Sequence, residues 1–284
     1  MRFDLHVHTN QSDGSFTPEQ VVDLAIERGI KLLAITDHDA TSGVEEAVNA
    51  GRNKGLKIVH GTEISCCSVA CSKEEVHIVG LNIDINSKRL KTLCRDIAIF
   101  KKLNTQKELE LVNKYFNSNI TFDDLQKKTK GTPVRRHIGM ALLDKGYVKD
   151  IKEGIKLVAN GGSCSANFGE ILQAKEAIEI IHEAGGIAIL AHVAAYKNKN
   201  KFVSLESQEE LIKELASYGL DGVEVYIPES TKEEKQFGLN MAQKYNLFVS
   251  GGSDFHDEAL IPKNKLGFLD MLEEELPILR KLMN

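Results

Sequence analysis

Residues 3–39 read FDLHVHTNQSDGSFTPEQVVDLAIERGIKLLAITDHD, and the order of patterns in this stretch indicates the fold class. Phe3–Val7 and Leu32–Thr36 are short apolar runs typical of buried strands. Between them, Thr17-Pro18-Glu19-Gln20 combines a helix N-cap, a proline at the first helical position and a capping-box partner. The stretch is therefore a predicted strand–helix–strand unit.

The same alternation continues through most of the chain. Ser42-Gly43-Val44-Glu45 repeats the capping-box pattern and predicts a second helix start. Further strands are predicted at Lys57–Val59, Val76–Leu81, Ile187–Ala191, Gly222–Ile227 and Leu247–Ser250, with a weaker candidate at Leu266–Leu269. Later helices are predicted at Glu170–Glu183, Gln208–Tyr218, Thr231–Tyr245 and Leu272–Leu282. Strand–helix alternation predicts an α/β fold with a mainly parallel sheet, either open or closed into a barrel.

One segment departs from this alternation. Residues 87–169 show helical patterns without a convincing strand, and basic residues gather there: Lys127, Lys128, Lys130, Arg135 and Arg136. We interpret this segment as a helical insertion, carried by an α/β body made of residues 1–86 and 170–284.

Length, composition and charge restrict the classes of function. A chain of 284 residues can bury a sizeable core, and its 42% hydrophobic and 27% charged residues are ordinary for a globular protein. The formal net charge of −5 disfavours stable binding of duplex DNA, which normally requires a basic surface. A small anionic substrate remains compatible with this charge, because bound metal ions would reverse the local field.

The N-terminal sequence contains no apolar run typical of a signal peptide. The longest apolar stretch, Ile187–Ala195, is interrupted by His192 and is too short to span a bilayer. The chain has five cysteines, an odd count that suggests no disulfide framework. Cys66, Cys67 and Cys71 are closely spaced, but the spacing matches no standard zinc pattern and favours small loop or core residues. We expect a cytoplasmic protein with no membrane association.

Two residue pairs have the spacing of metal ligands. His6-Val7-His8 ends the first predicted strand, and Asp254-Phe255-His256 follows the run Leu247–Ser250. Residues two apart on a strand point to the same face, so each pair can reach one ion. Either pair alone is a weak signal, because short motifs often match by chance.

The joint distribution of the histidines is more informative. His38 follows the second strand, Glu63 follows Lys57–Val59, His77 lies in Val76–Leu81 and His192 closes Ile187–Ala191. Six of the nine histidines (6, 8, 38, 77, 192 and 256) therefore fall at strand ends, where parallel α/β folds place their active sites. The others are His60, His137 and His182. Asp13 belongs to an Asp-Gly turn, a position with either a structural or a ligand role.

Several of these motifs together resemble the polymerase-and-histidinol-phosphatase (PHP) family. The matching motifs, in chain order, are DLHVHT at 4–9, SDG at 12–14, TP at 17–18, AITDHD at 34–39, GTEIS at 61–65, HIVG at 77–80, His192 and GSDFH at 252–256. The resemblance covers nearly the whole chain. It implies a distorted (β/α)7 barrel, similar to a TIM barrel, that binds up to three divalent metal ions at its mouth.

Carried over residue by residue, the resemblance assigns nine ligands to three sites. His6, His8, Glu63 and Asp254 would form one site. Glu63 would bridge to a second site with His77 and His192. Asp13, His38 and His256 would form the third, so every ligand position holds a suitable residue type.

Within the family, the chain most resembles the nucleoside 3′,5′-bisphosphate phosphatase subgroup, whose members remove the 3′-phosphate and whose relatives trim short RNA from its 5′ end. In that subgroup an Arg-x-His of the insertion clamps a substrate phosphate, which implies that role for Arg135 and His137. Two departures concern the substrate contacts. Val193 replaces a usual proline after the histidine, and Met140 replaces a second arginine.

The expected reaction is hydrolysis of a phosphate monoester by metal-activated hydroxide. Metal coordination can lower the pKa of water from 15.7 to roughly 7. Glu63 would bridge the metals, and Asp254, His256 or His38 would protonate the leaving alkoxide. Imidazole and carboxylate ligands without thiolate suit manganese first, with iron or zinc as alternatives.

Four other interpretations remain. Histidinol-phosphate phosphatases use a similar cluster, although the insertion argues against that substrate. Amidohydrolases also open with His-x-His, but their bridging residue is commonly lysine, whereas here it is Glu63. A PHP module can also lack activity and stabilise a larger assembly. The plainest alternative is an α/β domain with surface histidines.

Overall fold

The computed structural model describes residues 1–69, 75–159, 172–193, 204–228, 230–259, 261–272 and 274–283. Within these ranges the chain forms one sheet of eight strands. They are β1 (Arg2–Asp4), β2 (Leu32–Ile35), β3 (Lys57–Cys67), β4 (Glu75–Leu81), β5 (Ile187–Leu190), β6 (Gly222–Tyr226), β7 (Phe248–Gly251) and β8 (Leu269–Asp270). Seven of the eight predicted strands are present, and β3 is longer than its apolar run because it continues into a polar segment. The predicted strand Leu266–Leu269 was wrong in its bounds, because Leu266 and Gly267 form a turn and β8 shares only Leu269 with it.

The sheet curves into a nearly closed barrel. The strand order is β7-β6-β5-β4-β3-β2-β1-β8. A parallel bridge between Val7 and Phe255 brings the segment after β7 against the segment after β1. This bridge narrows the gap between the two sides of the sheet at one end, so the predicted α/β barrel is confirmed.

The sheet is mixed rather than uniformly parallel. β1 with β2, β2 with β3, β5 with β6, and β6 with β7 are parallel pairs, whereas β4 is antiparallel to both of its neighbours. Only residues 68–74 separate β3 from β4, too few for the crossover helix that a parallel connection requires. This reversal is one source of the barrel's distortion.

Ten helices are described. They are α1 (Pro18–Glu27), α2 (Ser42–Gly51), α3 (Lys88–Phe116), α4 (Phe122–Gln126), α5 (Arg135–Asp144), α6 (Ile151–Val158), α7 (Ala174–Glu183), α8 (Leu205–Ser217), α9 (Lys232–Tyr245) and α10 (Pro277–Met283). None of these described helices combines the length and the apolar character needed to cross a membrane.

The two predicted capping boxes had different outcomes. Thr17 caps α1 as expected, with its hydroxyl accepting from the Gln20 amide and the Gln20 side chain accepting from the Thr17 amide. The second prediction was wrong, because α2 has Thr41 at its N-cap and no side-chain cap hydrogen bond. The Ser42 hydroxyl donates instead to the side chain of Gln11.

Side chains alternate along the strands between the barrel interior and the surrounding helices. Leu32 and Ala34 of β2 belong to an interior cluster that is completed at one end by Leu276, just before α10, and by Ile278 of α10. Leu33 of the same strand packs outward against α1 and α2. The helix therefore closes the end at which β1, β2 and β3 begin, and the opposite end is the mouth.

Helices α3 to α6 occupy the segment predicted to be helical, and its described residues contain no strand. They enclose an apolar cluster of their own, which includes Leu109, Val112, Ile138 and Leu142. The division of the chain into a barrel and an insertion stays a prediction that this cluster favours.

The two helix starts provide a stability test. Thr17→Ala should lower the free energy of unfolding by about 1 kcal/mol, because it removes the hydroxyl that satisfies the Gln20 amide. Thr41→Ala is the matched control and should change it by less than about 0.5 kcal/mol, since Thr41 makes no cap hydrogen bond. Urea unfolding of both variants measures the difference, and equal losses would contradict the assigned caps.

Candidate metal centre

All nine predicted metal ligands meet at the barrel mouth. His6 and His8 follow β1, Asp13 lies in the next loop, His38 follows β2, Glu63 and His77 lie within β3 and β4, His192 follows β5, and Asp254 and His256 follow β7. Two placements differ from the sequence prediction. Glu63 lies inside a strand rather than after one, and His77 lies near the start of its strand. His77 still reaches the mouth because β4 runs in the opposite direction.

The Glu63 carboxylate is the centre of the cluster and is fully buried. Its Oε2 atom lies 3.1 Å from His6 Nε2, 3.2 Å from His8 Nε2 and 3.1 Å from His38 Nδ1. Its Oε1 atom lies 3.0 Å from both His77 Nδ1 and His192 Nε2. Five imidazoles from four parts of the chain therefore surround one carboxyl group.

Two further carboxylates extend the cluster. Asp254 Oδ1 lies 3.2 Å from His8 Nε2 and 3.5 Å from His256 Nδ1. Asp13 Oδ1 lies 3.1 Å from His256 Nε2 and 3.9 Å from His8 Nδ1. His8 thus lies between the Glu63 end of the cluster and the Asp13 end.

The donor atoms fall into four overlapping groups, each with all its atoms within 4.8 Å of one another. The groups are His8, Asp13, His38 and His256; His6, His8 and Asp254; His6, Glu63 and His192; and His38, Glu63 and His77.

Several buried donor atoms of these groups have no hydrogen-bond partner within the described residues: His6 Nε2, both ring nitrogens of His8, His38 Nδ1, Asp13 Oδ1 and Glu63 Oε2. Buried polar atoms are normally satisfied, so a converging set of unpartnered donor atoms is typical of a ligand site. Imidazole nitrogens and carboxylate oxygens at these separations fit divalent transition-metal ions.

The backbone adopts left-handed conformations at two candidate ligands. His192 has φ of 38° and Asp254 has φ of 51°, and such conformations cost non-glycine residues of order 1 kcal/mol or more. Gly252 allows the chain after β7 to approach β1, because a Cβ atom there would lie 2.4 Å from His6 Cβ. Tertiary packing therefore maintains strain at residues whose side chains point into the cluster.

Burial and neighbouring charges compete at the centre. Burial disfavours the charged form of Glu63, yet His38 and His6 hold the pKa of this carboxyl well below its usual value. Burial also opposes protonation of His8, but the carboxylates of Asp254 and Glu63, each 3.2 Å from its Nε2, raise its pKa to about 10. At His38 burial prevails, and its pKa lies well below the usual value.

Sequence reasoning missed several buried acids that support the site. Asp37 accepts from the amide and hydroxyl of Thr9, both at 2.7 Å, and from the hydroxyl of Ser12 at 2.6 Å, which fixes the loop before Asp13. Glu224 contacts His6 and His192 from β6. The available signal was a charged residue within a predicted apolar strand, because buried acids are rare unless paired.

A large cavity opens above the cluster between the barrel mouth and the helices of the 88–158 segment. Its volume is about 1360 Å³. Asp13, His38 and His77 line its floor. The opposite wall, from the helical segment, carries six cationic residues against two acids, Asp96 and Glu108, so its net charge is positive; the cationic residues are Lys91, Arg95, Lys101, Lys130, Arg135 and Arg136. An anionic substrate would therefore meet positive charge facing the cluster.

The two residues of the predicted phosphate clamp, Arg135 and His137, lie in different environments within α5. Arg135 lines the cavity, and its Nε donates to Glu108 at 2.7 Å. Arg136 lines the cavity too, is 9% exposed, and has Nε and Nη2 without a hydrogen-bond partner among the described residues. His137 is fully buried, its Nδ1 accepts from the Val134 amide, and burial lowers its pKa to about 4.

The helical segment contacts the barrel close to these groups. The Thr129 hydroxyl contacts the carbonyls of Asn10 and Ser12 at 2.9 and 2.8 Å, and a Cβ at Gly131 would lie 1.9 Å from the Gln11 carbonyl oxygen. Lys101 of α3 pairs with the buried carboxylate of Asp39. The loop that carries Asp13 is therefore packed against the cavity wall.

The cysteines form no metal-binding group within the described residues. Cys66 and Cys67 are buried in β3, and the Cys66 thiol donates to the Val76 carbonyl at 3.3 Å. Cys71 lies outside the described residues. Cys66 and Cys67 are core residues, as the spacing predicted.

The family model of the PHP domain matches residues 4–227. The chain belongs to the PHP family. That match covers β1 to β6 and most of the cluster, and the recognised family is confirmed.

Three curated relatives act on phosphoesters. A 5′-3′ exoribonuclease of Haemophilus influenzae is 30% identical over 99% of this chain and 98% of its own length. A phosphoribosyl 1,2-cyclic phosphate 1,2-diphosphodiesterase of Eggerthella lenta is 30% identical over 89% of this chain and 93% of its own. A 3′,5′-nucleoside bisphosphate phosphatase of Chromobacterium violaceum is 31% identical over 89% of this chain and 86% of its own.

The crystal structure of a protein from Bifidobacterium adolescentis, assigned as a metal-dependent phosphoesterase, superposes with a TM-score of 0.83. It is 25% identical and covers 99% of this chain and 95% of its own. Together these relatives confirm the predicted class, a phosphoesterase of the PHP family.

The metal-free protein should lose stability as pH rises from about 7 to about 10. Folded His8, with a pKa near 10, retains a proton that the unfolded chain, near 6.5, has released. Its contribution is therefore full below 6.5 and lost through 10. Thermal unfolding of chelated wild type and His8→Gln tests this, since the variant should depend less on pH in that window. Identical pH dependence would contradict the assigned proton.

Proposed function

We propose that this protein releases the 3′-phosphate of nucleoside 3′,5′-bisphosphates in a metal-dependent hydrolysis. The observation that supports it best is the Glu63-centred cluster, which opens into a cavity whose far wall is cationic. A substrate with phosphates at both ends fits this arrangement of charge. The similarity to the Chromobacterium violaceum enzyme favours the same substrate class.

Nine residues would hold up to three ions. His6, His8, Glu63 and Asp254 would form the first site, Glu63, His77 and His192 the second, and Asp13, His38 and His256 the third. The four donor groups overlap these sets, and Glu63 has one oxygen towards each of the first two. Bound ions would supply hydroxide at neutral pH and stabilise charge on the phosphoryl oxygens. We expect manganese, with iron or zinc as alternatives.

The chain's own residues would orient the substrate. Asp254, His256 and His38 are the candidates for protonating the leaving alkoxide, and His38 is the one of these three that lines the cavity. Arg135 and Arg136 would hold the second phosphate on the cavity wall. His137 would support these arginines indirectly. Its ring is buried, and its Nδ1 accepts a hydrogen bond from the Val134 amide, which fixes the start of α5.

A second candidate function is removal of nucleotides from the 5′ end of short RNA, as the Haemophilus influenzae relative's name states for that protein. The cavity volume of about 1360 Å³ favours it. Small-molecule pockets are typically about 300–1,000 Å³, so this cavity has room for more than one nucleotide. Phe100 lies on its wall and offers an aromatic face on which a base can stack.

The decisive experiment is phosphate release from adenosine 3′,5′-bisphosphate by manganese-loaded protein, with chelated protein as control. Histidinol phosphate, a cyclic phosphodiester and a 5′-phosphorylated RNA oligomer serve as alternative substrates. We expect turnover of the bisphosphate that chelation abolishes. Glu63→Ala should reduce turnover at least 1,000-fold on order-of-magnitude grounds while circular dichroism stays native, because Glu63 would join two sites.

Each alternative substrate has its own consequence. Reaction of histidinol phosphate alone would retain the metal centre and reject the nucleotide assignment. Cleavage of RNA alone would favour the exoribonuclease. No turnover by protein with measured bound metal would favour a non-catalytic PHP module, and full activity of metal-free Glu63→Ala would reject the metal mechanism.

Arg136 provides a test of substrate orientation. Arg136→Gln should raise KM for the bisphosphate roughly 10–100-fold, because a charge-assisted hydrogen bond contributes about 1.5–3 kcal/mol. KM for adenosine 3′-monophosphate should change little, since that substrate lacks the second phosphate. Steady-state kinetics on both substrates measures the difference.

The matched control is Arg95→Gln. Arg95 lines the same cavity but is exposed and pairs with Asp96, its neighbour in sequence. Its substitution should leave both KM values within about twofold, as is typical for an exposed ion pair. Equal effects of Arg136→Gln on both substrates would place Arg136 elsewhere than at the second phosphate.

A further inference from the structure

Glu224 is a buried acid in the middle of β6. Its neighbours Val223 and Val225 pack outward against the helices, so alternation directs Glu224 into the barrel. It is 3% exposed. Glu224 lies in none of the family motifs found in this sequence. A carboxylate buried this deeply requires hydrogen-bond or charge partners.

Its partners are two candidate metal ligands from different strands. His6 Nδ1 lies 3.1 Å from Glu224 Oε1 and 3.2 Å from Oε2. The backbone amide of His192 donates to Oε2 at 2.8 Å. One carboxylate therefore contacts the ring of the ligand after β1 and the main chain of the ligand after β5.

The contact with His6 determines which ring nitrogen can bind a metal. A carboxylate accepts hydrogen bonds, so His6 Nδ1 must carry the proton that it shares with Glu224. Its Nε2 atom, across the ring, lies 3.1 Å from Glu63 Oε2 and has no hydrogen-bond partner among the described residues. The lone pair of Nε2 is thereby directed into the cluster.

The contact with His192 stabilises an unfavourable backbone. His192 has φ of 38°, and its Nε2 lies 3.0 Å from Glu63 Oε1. Its ring stacks on His6 with centroids 5.1 Å apart. An acceptor for the His192 amide fixes the peptide orientation that this stacked position requires.

We propose that Glu224 is a positioning residue of the metal centre, which holds His6 in the Nδ1–H tautomer and His192 in its strained conformation. This inference rests on the proposed metal ligands. Glu224 is absent from the four donor groups, so its role is to orient ligands rather than to bind an ion. Outer partners of metal-bound histidines typically contribute 10–100-fold to metal affinity.

Asp221, the residue just before β6, provides a natural control. Asp221 Oδ2 lies 2.8 Å from His182 Nε2 and accepts from the Ala188 amide at 2.8 Å. Like Glu224, this carboxylate contacts one imidazole nitrogen and one backbone amide. Neither Asp221 nor His182 contributes an atom to the candidate metal groups. Substituting Asp221 therefore shows the effect of losing such a contact on the local fold, with the metal centre left unchanged.

The experiment measures Mn²⁺ affinity and stoichiometry by calorimetry for wild type, Glu224→Met, Glu224→Gln and Asp221→Asn. Glu224→Met keeps the volume and removes both acceptors, so its affinity should fall 10–100-fold. Glu224→Gln retains one acceptor oxygen and should give an intermediate affinity. Asp221→Asn should bind like wild type. Circular dichroism of the chelated proteins reports whether each variant is folded.

A second readout uses the wild-type protein alone. Nitrogen-15 NMR of the histidine rings should find a proton on His6 Nδ1, and an unprotonated Nδ1 would overturn the proposal even if Glu224→Met fails to fold. Wild-type affinity in folded Glu224→Met would also overturn it. Absence of metal binding by wild type would instead refute the proposed centre, which separates the two failures.

Discussion

A single buried carboxylate governs the architecture of the mouth. Glu63 has no solvent exposure, so its charge must be compensated within the protein. Five histidines from the β1, β2, β4 and β5 regions provide that compensation at 3.0–3.2 Å. The barrel is the means by which segments distant in sequence deliver their side chains to one oxygen pair. Three features fit the need to bring these side chains to Glu63: the reversed direction of β4, the strained backbone at His192 and the absence of a side chain at Gly252.

The inside of the barrel has two parts along its axis, a polar layer at the mouth and an apolar interior beneath it. Below Glu63 the interior is filled by aliphatic side chains and closed by α10. Above Glu63, some acids bind no ion in the proposed scheme but orient the residues that would bind one. Asp37 fixes the loop that carries Asp13, and Glu224 contacts the ring of His6. Such a site is stable only when every member has a partner, so the buried acids around it form part of the site.

Charge is distributed between the two walls of the cavity. The barrel supplies carboxylates and imidazoles, and the helical segment supplies the cationic wall. A protein of net charge −5 thus presents a locally positive surface to a substrate that bound ions would also attract. The contacts of Thr129 and Lys101 with barrel loops fix the distance between these walls.

Local patterns in the sequence were enough to predict seven of the eight strands, the starts of α1, α2 and α9 and the residue types of the cluster, because these depend on periodicity, caps and short spacings. It failed where a choice depended on distant partners. Ser42 looked like a cap but bonds Gln11, and the direction of β4 followed from a short connection rather than from its apolar pattern. The folded structure was needed to show that Arg135 bonds Glu108 while Arg136 Nε and Nη2 have no hydrogen-bond partner among the described residues. It was also needed to show that Glu224 reaches His6 across 218 positions. Hydrogen bonds between residues so far apart leave no local periodicity, so they can be assigned only once the chain has folded.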